Sequence, residues 1–212
     1  MAEVFKVVSL NVKGISNFQK RRTMFTWCRK RKADTKFLQE THSTVKTETQ
    51  WKNEWAAEII TSHRSSNARG VAILIKAGFD CSVHHQILDH MGRYIIVKAV
   101  IKDKTYVLIN IYAPNKDKDL INFFKNLFAI LQKENLESEE NIIIGGDIHC
   151  PLNPELDKKG GVLLQRKSVT NCIECLQSQL DLVDIWQIKN PETRVLLGVK
   201  NLQEYFVDLI II

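Results

Sequence analysis

The chain is expected to fold as an α/β protein in which two sheets pack face to face with helices on their outer surfaces. Three features point there. Short β-branched runs alternate along the chain with amphipathic stretches at helical spacing. Gly70-Val71-Ala72-Ile73-Leu74-Ile75 and Ile142-Ile143-Ile144 are apolar throughout, as a strand buried on both faces requires. Between them, Cys81 to Leu88, Arg93 to Ile101 and Thr105 to Ile111 follow closely across the turns Asp89-His90-Met91-Gly92 and Lys102-Asp103-Lys104, a run of hairpin-linked, largely antiparallel strands.

The remaining elements fall between these. Val4 to Val12 mixes β-branched and aromatic residues and reads as a first strand, with Asn11 near its end. From Lys20 to Arg31, Met24, Trp27 and Cys28 follow helical spacing while cations occupy the other faces. Asp34 leads into a short strand, Thr35 to Gln39, which delivers Glu40 at its end. Trp51 and Trp55, four apart in Thr49 to Glu58, anchor a second helix. After the hairpin run, Pro114 ends the pairing and leaves Tyr112 and Asn115 on a loop at a strand end. Leu120, Phe123, Phe124, Leu127, Ile130 and Leu131 recur at helical spacing within Lys116 to Glu134. Ser168 to Leu180 is a further helix with Val169, Cys172, Ile173 and Leu176 inward. Leu182 to Trp186 packs back, Asn190-Pro191 turns, and Tyr205 to Ile212 reads as a final strand. No repeat, low-complexity tract or linker interrupts residues 1–212, which are expected to form a single domain.

The 212 residues are 44% hydrophobic and 25% charged, an ordinary globular balance, and no apolar run approaches the roughly 18 residues of a membrane span. No basic segment leads into an apolar core at the start, so no secretory signal is expected. Five scattered cysteines imply reduced thiols and an intracellular protein, in nucleus or cytoplasm. Cys172 and Cys175 form a Cys-x-x-Cys pair without a second pair at zinc-finger spacing, and on an apolar helix face they read as core. The net charge of +6 is concentrated in Lys20-Arg21-Arg22 and Arg29-Lys30-Arg31-Lys32, which bracket the first helix. Such a surface attracts polyanions, with Arg21 and Arg22 as candidate phosphate contacts; the alternative is a solvated helix face.

The chain is organised around Ile142-Ile143-Ile144-Gly145-Gly146-Asp147-Ile148-His149. A buried strand meets two glycines that allow a sharp turn, and Asp147 emerges where the strand ends. Asp147 either caps that turn or serves a metal-assisted reaction. Glu40 and Asn11 also stand at strand ends. If these strands run side by side in one orientation, the groups meet at one rim, and paired carboxylates there suit Mg²⁺, which takes oxygen ligands and keeps waters.

Ser9-Leu10-Asn11-Val12-Lys13-Gly14, Leu38-Gln39-Glu40-Thr41-His42, Gly70-Val71-Ala72-Ile73-Leu74, Asn110-Ile111-Tyr112-Ala113-Pro114-Asn115 and Gly145-Gly146-Asp147 occur in this order and resemble the endonuclease/exonuclease/phosphatase superfamily, above all the apurinic-type endonuclease domain of LINE-type retrotransposons. The resemblance spans nearly the whole chain. It implies a four-layered α/β sandwich, Mg²⁺ or Mn²⁺ dependence, and DNA as the substrate whose phosphodiesters are cut. It further implies that Glu40 binds the metal, Asn11 assists in the same pocket, Tyr112 and Asn115 line the phosphate site and Asp147 positions the nucleophilic water. Asp208 resembles the family's late-strand acid.

Three departures bear on activity. The family follows Gly-Gly-Asp with Phe-Asn, where this chain has Ile148-His149. On a continuing strand His149 would share a face with Asp147 and reach the phosphate; the alternative is a histidine that fills the space of the family's Asn. The family's aromatic-Thr-aromatic segment after Asn-Pro has no counterpart near Leu197, where a hydroxyl is missing. The family's Ser-Asp-His segment is not reached before Ile212, and the sandwich is expected to lack its last strands. Losing such a positioned acid costs about 10²–10⁴-fold in rate. The expectation is therefore a DNA endonuclease of weak or no activity, with a non-catalytic nucleic-acid-binding remnant as the alternative. A phosphorylated lipid or inositol substrate is least favoured by the retrotransposon-like blocks.

Overall fold

The computed structural model describes residues 5–150, 167–185, 188, 210 and 211. In chain order these form β1 (Val7–Asn11), α1 (Phe18–Lys30), β2 (Thr35–Gln39), a 3-10 turn (Val45–Thr47), α2 (Glu48–Trp55), β3 (Ile59–Ser62), β4 (Val71–Ile75), β5 (Cys81–Leu88), β6 (Tyr94–Ile101), β7 (Lys104–Tyr112), α3 (Asp117–Lys133), β8 (Ile142–Asp147), α4 (Lys167–Gln179) and β9 (Ile210–Ile211). One sheet has the order β1-β2-β4-β3 and the other β5-β6-β7-β8-β9. Each is mixed: β1 runs parallel to β2 and β7 parallel to β8, and every other pairing is antiparallel.

The period-2 alternation of buried strands divides the core into three layers of apolar contact. In β4, Val71, Ile73 and Ile75, together with Phe37 of the neighbouring β2, face the other sheet, where they meet Ile95, Val97, Leu108 and Ile143. Ala72 and Leu74 face outward onto Met24, Phe25, Cys28, Trp51 and Trp55 of α1 and α2. On the far side Val107, Ile109, Ile111, Ile142 and Ile144 pack against Leu120, Phe124, Leu127 and Leu131 of α3 and Val169, Ile173 and Leu176 of α4. The result is the expected four-layered α/β sandwich, helix, sheet, sheet, helix. No helix among the described residues is long and apolar enough to cross a membrane.

Several expectations are corrected. β3 was not anticipated: α2 stops at Trp55 because Ala56 adopts φ +58° and caps it, a task usually given to glycine, so no stop signal precedes Ile59. Arg21, expected at an open DNA surface, is only 2% exposed. Its guanidinium donates to both Glu54 carboxylate oxygens at 2.6 and 2.8 Å and to the carbonyls of Ser16 and Ile15 at 2.8 and 3.2 Å. It also lies 5.1 Å from the Trp51 ring, and so it joins α1 to α2. Arg22 is exposed as expected. Cys175 is exposed rather than core, Cys172 is half-buried, and none of the five cysteines is in a disulfide. Ile210 and Ile211 pair antiparallel with Gly145 and Ile144. The rest of the strand expected over Tyr205 to Ile212, with Asp208, and the segment from Asn190 through Leu197 lie outside the described residues.

Candidate active site

Parallel pairing of β1 with β2 and of β7 with β8 brings Asn11 level with Gln39 and Tyr112 level with Asp147 at the carboxyl ends of the strands. The two ends face each other across the sandwich. Asn11 Nδ2 donates to Glu40 Oε1 at 3.1 Å and to Asp147 Oδ2 at 2.9 Å, so one amide spans both carboxylates and both sheets. Its Oδ1 accepts the backbone N–H of Lys13 at 3.0 Å, which fixes which end of the amide faces the acids. Tyr112 donates its hydroxyl to Glu40 Oε1 at 2.7 Å. Asn115 stands exposed on the loop that leaves β7. The expected convergence of Asn11, Glu40, Tyr112 and Asp147 is therefore present.

The turn around Asp147 differs from expectation. Gly145 and Gly146 belong to β8, paired with Asn110 and Ile111, and the chain turns only after Asp147. Gly146 is required there because it has φ +143° and a Cβ would sit 2.0 Å from the Ile111 carbonyl oxygen. His149 is not on a continuing strand. It has φ +55°, its N–H donates to Asp147 Oδ1 at 3.2 Å, and its ring folds back on the acid. Nε2 lies 3.2 Å from Asp147 Oδ2 while Nδ1 lies 2.7 Å from the Ala113 carbonyl oxygen. Both ring nitrogens face acceptors, an arrangement that only the doubly protonated ring satisfies.

The electrostatics follow from these contacts. Burial opposes ionisation of Asp147, but the hydrogen bond and charge of His149, with the Asn11 amide, outweigh it and hold the carboxyl below its ordinary value. Burial likewise opposes the His149 cation, and Asp147, the Ala113 carbonyl and Glu40 reverse that and raise its pKa. The Tyr112 phenol is pushed up by burial and by its hydrogen bond to Glu40, so it remains a donor at neutral pH.

No family model matches the chain. Over 187 residues it is 30% identical to the transposon TX1 uncharacterized 149 kDa protein of Xenopus laevis, a match spanning 88% of this chain and 14% of that protein. An AP endonuclease from Archaeoglobus fulgidus superposes with a TM-score of 0.75 at 18% identity, over 98% of this chain and 86% of that one. AP endonuclease LMAP from Leishmania major gives 0.76 at 14% identity, over 98% and 78%. An endonuclease/exonuclease/phosphatase family protein from Bacteroides thetaiotaomicron gives 0.54 at 12% identity, over 68% and 63%. The chain has the endonuclease/exonuclease/phosphatase fold.

Within this endonuclease/exonuclease/phosphatase fold the rim residues rest on a polar layer that sequence reasoning missed. Asn110 and Gln39 are fully buried. Asn110 Nδ2 donates across the sandwich to the carbonyls of Leu38 and Ala72 at 3.0 and 2.8 Å, and its Oδ1 accepts from Gln39 Nε2 at 2.7 Å. Gln39 Nε2 also reaches Ser9 Oγ at 3.0 Å. A signal existed, since Asn110 is the one polar residue within Val107-Leu108-Ile109-Asn110-Ile111. Arg93, also missed, donates to the Tyr112 carbonyl at 3.1 Å and with Arg69, Tyr94 and Phe123 lines a groove of about 630 Å³ beside Tyr112.

The donor set fits a hard divalent ion. Among the described residues no three His, Cys, Asp or Glu side chains are grouped to enclose a metal. Mg²⁺ needs no such cage, since one or two carboxylates with waters and substrate oxygens suffice. Glu40 and Asp147 supply two carboxylates held toward each other by Asn11.

Proposed function

We propose that the chain is a single metal-dependent DNA endonuclease domain of the retrotransposon type, which hydrolyses phosphodiesters with Mg²⁺ or Mn²⁺ held at Glu40. The observation that carries this reading is the Asn11 amide shared by Glu40 and Asp147, which brings a metal-binding oxygen and a basic oxygen to one rim. When bound, the ion supplies a Lewis acid toward the phosphate oxygens.

The chain's own residues do the rest. Asp147 is ionised at neutral pH, and its carboxylate orients a water for in-line attack and takes its proton. Tyr112 stays protonated, and its hydroxyl, donating to Glu40 Oε1, holds the metal-binding carboxylate beside the phosphate site, which Asn115 lines. Arg93, whose guanidinium lies over the Tyr112 ring, and exposed Arg22 on α1 present cations to flanking backbone phosphates. His149 places a positive charge at the rim, yet its contact occupies Asp147 Oδ2, one of the two oxygens available to the water. Turnover is therefore slow.

That contact also favours a second reading, DNA binding without turnover. A supercoiled-plasmid assay separates the two. The enzyme reading expects Mg²⁺-dependent nicking that Asp147→Ala lowers by at least about 10²-fold. Salt-dependent DNA binding without nicking in either Mg²⁺ or Mn²⁺, and unchanged by Asp147→Ala, would establish the binding remnant instead.

A further inference from the structure

Glu40 reaches the rim from a turn that is costly to hold. Both Glu40 and His42 have left-handed backbone, with φ of +52° and +57°, and neither is glycine. Non-glycine residues persist in that region only where their surroundings over-determine them. Part of the restraint is backbone. The N–H groups of Gly14 and Ile15 donate to the Glu40 and Thr41 carbonyls at 2.7 and 3.0 Å, and those of Thr41 and His42 donate to Gly70 and Arg69 at 2.9 and 2.8 Å.

The rest is a chain of side chains. Thr41 Oγ1 and Ser43 Oγ, both buried, are 3.0 Å apart. Ser43 Oγ is 2.8 Å from His63 Nδ1. On its other side His63 Nε2 lies 3.1 Å from Thr61 Oγ1 and 3.3 Å from Glu48 Oε2 on α2. The Gly70 backbone packs close against both hydroxyls: a Cβ there would stand 2.5 Å from Thr41 Oγ1 and 3.3 Å from Ser43 Oγ. Ser43, His63 and Glu48 have the connectivity of a nucleophile, base and acid, but Ser43 is 1% exposed and no substrate reaches it. The linkage has another use.

We propose that His63 is a positioning residue for Glu40: through Ser43 and Thr41 it ties the left-handed turn to α2 and so aims the carboxylate that holds the divalent ion. The proposal rests on the metal-dependent reading above, and its test is built so that the two fail separately. Mn²⁺ binding to the full chain is followed by the electron paramagnetic resonance of the free ion, and amide hydrogen exchange at Thr41 and His42 is measured in the metal-free protein. The variants are His63→Asn, whose amide occupies the place of Nδ1 and can still meet Ser43, His63→Gln, whose amide occupies the place of Nε2 and leaves Ser43 behind, and His63→Ala.

His63→Gln and His63→Ala are expected to weaken Mn²⁺ binding about 10-fold and to speed exchange at Thr41 and His42, as loss of a supporting hydrogen bond does at metal sites. His63→Asn is expected to stay near wild type in both. A purely structural role predicts instead that Asn and Gln behave alike, with affinity following thermal stability, and that result overturns the proposal even if His63→Ala does not fold. Unchanged Mn²⁺ affinity in His63→Gln overturns it as well. A wild-type chain that binds no Mn²⁺ overturns the metal reading itself and this role with it, while the exchange measurement still reports whether His63 holds the turn.

Discussion

Asp147 is held ionised by two donors with different consequences. The Asn11 amide is neutral and stays so, whereas the charge that His149 brings lasts only while the ring is doubly protonated. With its pKa raised, His149 contributes stability that is complete below its unfolded value of about 6.5 and is lost as pH rises through the higher folded value. With its pKa depressed, Asp147 contributes stability above its unfolded value of about 3.9 and loses it as pH falls through the lower folded value. In chelator, the melting-temperature advantage of wild type over His149→Asn should thus be largest between about pH 4 and 6.5 and shrink toward pH 9. An advantage that is flat across that range would show that the ring does not carry the charge. Asn11, Glu40, Tyr112 and Asp147 were legible in the sequence because each stands at the end of an apolar run, where strand geometry exposes a side chain at the rim. The conformation of His149 was not legible. Its approach to Asp147 comes from a left-handed backbone that no glycine announces, and its second partner, the Ala113 carbonyl, lies on a different loop. His63 was hidden for the same reason, since its partners come from three separate segments.

Helix α1 shows how a cationic run divides by face. Helical spacing located the helix to within a few residues, but Arg21 and Arg22 look alike in sequence, and only packing against α2 separates them. Arg21 is enclosed by Glu54, Trp51 and two carbonyls, while Arg22 points to solvent. Removing one partner of a buried pair leaves the other uncompensated, so Arg21→Ala should cost about 3 kcal/mol by denaturant unfolding. Glu54 keeps some solvent access, 19% of its side chain, which places the figure at the low end of the range for buried pairs. Arg22→Ala should leave stability unchanged within about 0.5 kcal/mol and reduce the salt slope of DNA affinity by about one. A stability loss for Arg22→Ala matching that of Arg21→Ala would contradict this division. The buried strands β2, β4 and β8 were legible by composition. β3 was not, because its four residues follow a helix whose ending depends on an alanine in glycine's usual conformation.

At the scale of the whole molecule the site exists only while the two sheets keep register, because Glu40 comes from one and Asp147 from the other. The apolar layer between them is shape-tolerant, and hydrophobic contact alone would permit small slides. Asn110 does not permit them, since its amide meets two carbonyls and one side chain of the opposite sheet, directly behind the rim. The two members of this clamp should not be worth the same. Asn110→Ala removes both hydrogen bonds its Nδ2 donates to the opposite sheet, leaves one Gln39 N–H without its acceptor and opens a cavity, for a loss of about 3 kcal/mol. At roughly 2–4 °C per kcal/mol for a chain of this size, that is a fall of about 6–12 °C in melting temperature. Gln39→Leu leaves Ser9 and the Asn110 oxygen without that donor, but it also removes Gln39 Oε1, a buried acceptor with no hydrogen-bond partner. Relief of that orphan offsets part of the loss, and the cost should be about 1 kcal/mol. The double variant should cost less than the sum of the singles, because each change removes the group the other leaves stranded. Thermal unfolding of the three variants tests this ordering. If Gln39→Leu proves as damaging as Asn110→Ala, or the effects simply add, the sheets are held in register by their apolar layer and Asn110 is not the clamp.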